Sequence, residues 1–196
     1  MDPERLTTLL QRIDQLNSQD PNTEVIKGVP QPRELVYAQR LTAWVLRLRP
    51  DASEALRIAA RGQHVRRWTI PRQQYPRARQ GYLQWRETLK VFHAQTVGEL
   101  MNAAGYPEPV IARVQRLMSK KDLAADPDTQ TLEDALCLVF LETQFEEMRR
   151  KTPDATLREV LRKAWKKMSE SARAAAQQLP LGEEAKAFLR ESLAGL

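Results

Sequence analysis

The chain is 196 residues long and carries a formal net charge of +6 at neutral pH, with a pI near 9.7. Its one cysteine, Cys137, excludes an internal disulfide and fits a reducing compartment; apolar neighbours Leu136 and Leu138 make it a core thiol rather than a nucleophile. No apolar run reaches membrane length and the amino terminus lacks a signal pattern, so the sequence reads as cytoplasmic, with an anionic partner and no membrane.

Seven glycines, few β-branched runs and repeated patterns of about 3.6 residues predict an all-α fold. Asp2 and Pro3 open a first helix whose apolar stripe is Leu6, Leu9, Leu10, Ile13 and Leu16. The stretch NSQDPNTEVIKGVPQPR then reads as a long, proline-bearing loop. A second helix over 34–48 carries Tyr37, Leu41, Trp44, Val45 and Leu48 on one face. Ser53 caps a third helix over 54–67, and Pro71 and Pro76 break the segment that follows. A fourth helix spans 81–103 and a fifth 109–118. Thr131 starts a sixth, apolar nearly all round and therefore central, with TLED as its capping box. Asp154 opens a basic seventh, and a short helix closes the chain. The count is about seven to eight helices in a single domain over 1–196.

The charge is concentrated. Between 55 and 86 lie eight arginines and no Asp, Glu or Lys, interleaved with Trp68, Tyr75, Tyr82 and Trp85. Guanidinium groups fork onto phosphate and stack on aromatic rings, so this window predicts a phosphate or nucleic-acid site. Arg67, Arg72, Arg77 and Arg86 flank the irregular loop and are the candidate phosphate ligands, with Arg40 from the second helix; Tyr82 and Trp85, at helical spacing, are expected in the core. His64 and His93, the only histidines, lie in or beside the window. With Asp134 or Glu133 they form a candidate catalytic or metal-binding set, whose imidazole and carboxylate donors suit zinc, iron or manganese. The ordinary alternative for each histidine is a hydrogen-bonded core position, and for Asp134 the helix cap. Tyr37, Gln63 and Lys120 are placed to orient ligand or water. KMSES, 167–171, matches a synthetase signature only in letters: it is expected inside a helix, and no partner motif or βαβ pattern accompanies it.

YAQRLTAWVLRLRPDASEALRIAARGQHVRRW, FHAQTVGELMNAAGYPEPVIARVQRLM and QTLEDALCLVFL resemble, in order, the helical core of the HD superfamily of metal-dependent phosphohydrolases. The resemblance covers about 34–142 and leaves 154–196 as a helical extension. It implies an HD-like bundle with Tyr37 where the family has its opening ligand histidine. Gln63-His64 falls on the His-Asp pair, His93 on an additional histidine and Asp134 on the last ligand aspartate. DPN, RGQHVRRW, IPRQQYP, GYLQWR, FHA and QTLEDALCLVFLE resemble more closely the uncharacterised domain-of-unknown-function 4202 family, whose members are often labelled glutamyl-tRNA synthetase. That resemblance brings no activity with it. The expectation is a divergent phosphohydrolase or phosphate-ligand-binding enzyme acting on a nucleotide or RNA-linked phosphate, with one divalent metal. The alternatives are a non-catalytic RNA-binding module, for tRNA or another RNA, and a helical protein-interaction module.

Overall fold

The apolar stripes decide most of the architecture. In the computed structural model, which describes residues 3–120 and 125–195, α1 (Pro3–Asn17) buries Leu6, Leu9 and Ile13, three or four positions apart. The proposed cap at Asp2 lies outside the described residues. The expected loop after α1 is instead a hairpin of β1 (Thr23–Ile26) and β2 (Val29–Pro32), with Ile26 opposite Val29. Its two-residue turn, Lys27-Gly28, has positive φ at both positions (50° and 82°), as a tight hairpin turn requires. Pro30 and Pro32 masked this strand in the sequence; a two-stranded sheet tolerates them because each strand has a free edge.

Four helices then frame the site. α2 (Arg33–Leu48) buries Glu34, Val36, Ala38, Leu41, Trp44 and Val45. α3 (Glu54–Gly62) starts at Ser53, whose hydroxyl accepts from the Leu56 amide at 3.1 Å. It ends five residues short of the expected 67, at Gly62, where a Cβ would stand 2.4 Å from Val97 Cγ2. Only glycine lets α3 approach α4 (Arg79–Ala103) this closely. Two single-turn 3-10 helices, Arg67–Thr69 and Arg72–Gln74, bridge them through the proline-broken segment.

α5 (Glu108–Met118) packs on α3 and α4. α6 (Pro127–Thr143) is central, burying residues all around its axis from Asp128 to Leu141. It begins at an Asp126 cap followed by Pro127, ahead of Thr131, so the expected capping box does not exist; the Thr131 hydroxyl instead donates to Pro127 O. The chain closes with α7 (Phe145–Lys151), α8 (Asp154–Lys167), α9 (Glu170–Gln177) and α10 (Glu183–Leu193). Ten α-helices among the described residues exceed the expected seven to eight because α7 is separate and the basic helix breaks at Met168-Ser169. KMSES therefore spans a helix break, with Ser169 as the α9 cap, rather than a helix interior. The bundle is all-α apart from the hairpin, and one buried apolar cluster runs from Leu6 to Leu189. Among the described residues no helix is long and apolar enough to cross a membrane.

Candidate functional site

Glu34 and Tyr37 sit one turn apart on α2, on the face that carries Leu41 and Trp44 inward. The short end of α3 frees the backbone from Gln63 to Arg66, and this turn projects His64. Arg66 holds the left-handed conformation (φ 53°), and its amide donates to Asn17 Oδ1 of α1 at 3.1 Å. His93 comes from the buried face of α4 and is only 3% exposed.

These elements bring five side chains together. The His64 ring lies flat on Tyr37, centroids 4.0 Å apart and planes within 9°. His64 Nδ1 is 3.1 Å from Glu34 Oε2, and the His93 ring is 5.9 Å from that of His64. Arg67 reaches the same place with Nη1 3.5 Å from His64 Nε2 and Nε 3.9 Å from Glu34 Oε1. Neither contact is a strong hydrogen bond. The guanidinium is held instead by stacking over Trp85 at 4.7 Å, and Trp85 is fixed by its own Nε1–H, which donates to Ile70 O at 2.9 Å. Arg67 is thus positioned while its fork of donors remains under-used.

The partners assign the tautomers. His93 Nδ1 donates to Val65 O at 2.9 Å, so its Nε2 carries a lone pair, and that atom is buried with no hydrogen-bond partner among the described residues. His64 Nδ1 donates to the Glu34 carboxylate, which turns the Nε2 lone pair toward Arg67. Burial, first, and then the nearby Arg67, Lys120 and Arg86 cations hold His64 neutral, well below the usual histidine range. Burial and the adjacent His64 push His93 down to about 3. Burial raises Glu34 to about 7, against the pull of Arg67, and keeps the Tyr37 phenol protonated. An acid poised near neutrality, backing a neutral imidazole beside a guanidinium, can accept and return a proton next to bound negative charge.

The other expected site residues divide. Gln63 is buried beside His64, with Oε1 unpartnered among the described residues. Arg86 is exposed, lies over Tyr82 at 5.8 Å and adds to the positive potential at His64. Arg77 is exposed on the loop before α4. Arg40 is taken up by Glu24 of the hairpin at 2.6 Å. Arg72 closes its own loop by donating to Tyr75 O and Pro76 O at 2.8 and 2.7 Å. Lys120 pairs with Glu133 at 2.9 Å, and Lys167 with the other Glu133 oxygen at 3.3 Å.

Asp134 is not joined to the histidines. Its oxygens accept from the Ser169 amide (2.8 Å), the Ser169 hydroxyl (2.5 Å) and Gln130 Nε2 (2.9 Å), anchoring the start of α9. The residues present therefore do not fit the metal set His64, His93 and Asp134, and among the described residues no group of three His, Cys, Asp or Glu is arranged to hold a metal ion. Trp85 is half-buried and Tyr82 is 42% exposed, so the expected core pair is a ring pair at the surface, tilted at 6.0 Å. Sequence reasoning passed over Glu34. The signal was available: it lies three residues before Tyr37 on the buried face of α2, where a carboxylate needs a partner.

Fold and site define an all-α protein with two neutral imidazoles, His93 buried and His64 half-buried, the latter backed by a carboxylate and flanked by a stacked guanidinium. The chain belongs to the DUF4202 family, a domain of unknown function, whose model matches residues 7–189. No curated protein and no solved structure matches the chain.

Proposed function

We propose that the protein binds a phosphate ester of a nucleotide or an RNA and acts on it by acid–base chemistry, the Glu34–His64–Arg67 arrangement being the observation that carries the reading. Arg67 takes the phosphoryl oxygens, and Arg86 adds positive potential from the rim. Burial is the first cause of His64's neutrality and the cations add to it; an arriving phosphate offsets that added part and so makes His64 a better base. His64 Nε2 then takes the proton of a water or hydroxyl as its oxygen attacks phosphorus, while Glu34 stabilises the imidazolium. His93 Nε2, an acceptor without a hydrogen-bond partner among the described residues, orients the attacking O–H. The bond from phosphorus to the leaving oxygen breaks, and that oxygen takes the proton back from His64. The second reading is a nucleic-acid-binding module without chemistry, favoured by the exposed Arg77, Arg79 and Arg86.

Turnover of bis(p-nitrophenyl) phosphate and of p-nitrophenyl phosphate tests the proposal, alongside inorganic phosphate binding by calorimetry. Turnover by the wild type that disappears in His64→Ala and Arg67→Ala, both folded by circular dichroism, supports it. Phosphate or nucleotide binding without turnover selects the second reading. A wild-type protein with neither property overturns both.

A further inference from the structure

The arginine and aromatic side chains of the site continue outward as an alternating row. Arg67, beside His64, stacks on Trp85; Trp85 meets Tyr82; and Arg86 lies over the Tyr82 ring. The inner end of this row is half-buried and fixed by the Trp85–Ile70 hydrogen bond. Its outer end is open: Tyr82 is 42% and the neighbouring Leu83 54% exposed, whereas Leu89 and His93 farther along the same helix are buried. Arg77 and Arg79, both exposed, stand at the entrance to the same helix, and the sequence from 55 to 86 contains no acidic residue.

Bare phosphate needs only the inner end. A ring 42% exposed, with one guanidinium over it, suits a planar base that has left its own stack, while the outlying arginines suit the charges of adjacent phosphates. Duplex bases are stacked on one another and would leave Tyr82 idle. We infer that the ligand is a single-stranded nucleic acid, with the base next to the reacting phosphate stacked on Tyr82 and Arg86 and the flanking backbone on Arg77 and Arg79. The inference rests on the phosphate-ester reading for its inner end, and the Tyr82 platform is a separate element that can fail alone.

The test is fluorescence anisotropy of the full chain with a 5′-labelled ten-residue oligouridine, a duplex of equal length and an acidic peptide of equal charge. The single strand should bind best, with affinity falling steeply as salt rises. Tyr82→Ala should weaken it about tenfold or more, within the range of base–aromatic stacking, and Tyr82→Phe should restore it. Tyr82 and Arg86 are exposed, so truncating either leaves the core intact. Equal binding of duplex or peptide, or oligouridine affinity unchanged in both Tyr82→Ala and Arg86→Ala, overturns the inference. If Arg67-dependent turnover of the small diester persists in that case, the acid–base reading survives and only the stacking subsite falls. Tyr82-dependent oligouridine binding without any turnover keeps the subsite and removes the chemistry.

Discussion

Two acidic clusters in this protein are built on opposite principles. In the first, Arg113 forks onto Asp126 and also reaches Asp128 at 3.1 Å, while Arg49 Nη1 and the Ser53 hydroxyl hold the two Asp128 oxygens at 2.8 and 2.9 Å. Thr129 adds a hydrogen bond to Asp126 at 2.9 Å. The carboxylates are fully engaged, and the Arg113 hydrogen bonds hold Asp126 far below the ordinary carboxylate range. This clasp joins the end of α2, the cap of α3, α5 and the start of α6. In the second cluster Glu34 has the His64 ring at 3.1 Å, Arg67 only at 3.9 Å, and a carboxyl raised to about 7 by burial. Saturation marks a structural joint. Incomplete satisfaction in a buried setting leaves capacity for a ligand, at a cost to stability.

The largest effect that would break this comparison is on activity. His64→Ala should lower diester turnover by about 100- to 10,000-fold, the usual contribution of a positioned general base, while Asp126→Asn leaves kcat intact. Equal losses in the two variants would erase the distinction. Next comes Glu34→Gln. Because the folded-state value of Glu34 lies above the ordinary one of 4.5, its stabilising contribution is complete below that value and is lost as pH rises toward 7. The variant should therefore be more stable than the wild type at about pH 8, by up to about 3 kcal/mol, and show little gain near pH 4. Thermal melts across that range check the sign.

Asp126→Asn should do the reverse and cost roughly 1 to 3 kcal/mol at neutral pH, since a charge-assisted network loses its anion. The folded-state value of Asp126 is depressed, so its contribution is present above about 3.8 and disappears on acidification, and the variant should converge on the wild type in acid. Smallest is Ser169→Ala, which removes the α9 cap and one Asp134 partner. About 1 kcal/mol of stability should go, with turnover unchanged; a lost activity would return Asp134 to the site.

What the sequence made legible follows from period and punctuation. The inward face of α2, the Ser53 cap, the central α6 and the proline-broken segment after residue 67 are local properties, and each reappears in the structure. The convergence of Tyr37, His64, Arg67 and His93 was also within reach, because each lies at an inward or loop-edge position. Asp134 was not, since its partner Ser169 lies thirty-five residues ahead and no local pattern announces the pairing. Tyr82 misled because helical spacing gives the direction of a side chain and not whether a neighbouring helix is there to cover it. Lys120 and Arg40 looked like free cations; distant acids, Glu133 and Glu24, had already engaged them.

The Asn17–Arg66 hydrogen bond carries a kinetic consequence. It spans 49 residues, the Glu34–His64 bond spans 30 and the Val65–His93 bond spans 28, so the site is made of loop-closing contacts while the helices around it rest on bonds a few residues long. Closing long loops before any contact rewards them is slow. During refolding, helicity should therefore return first and ligand binding later, and a chain with Asn17→Ala should widen that interval more than it lowers the final helix content.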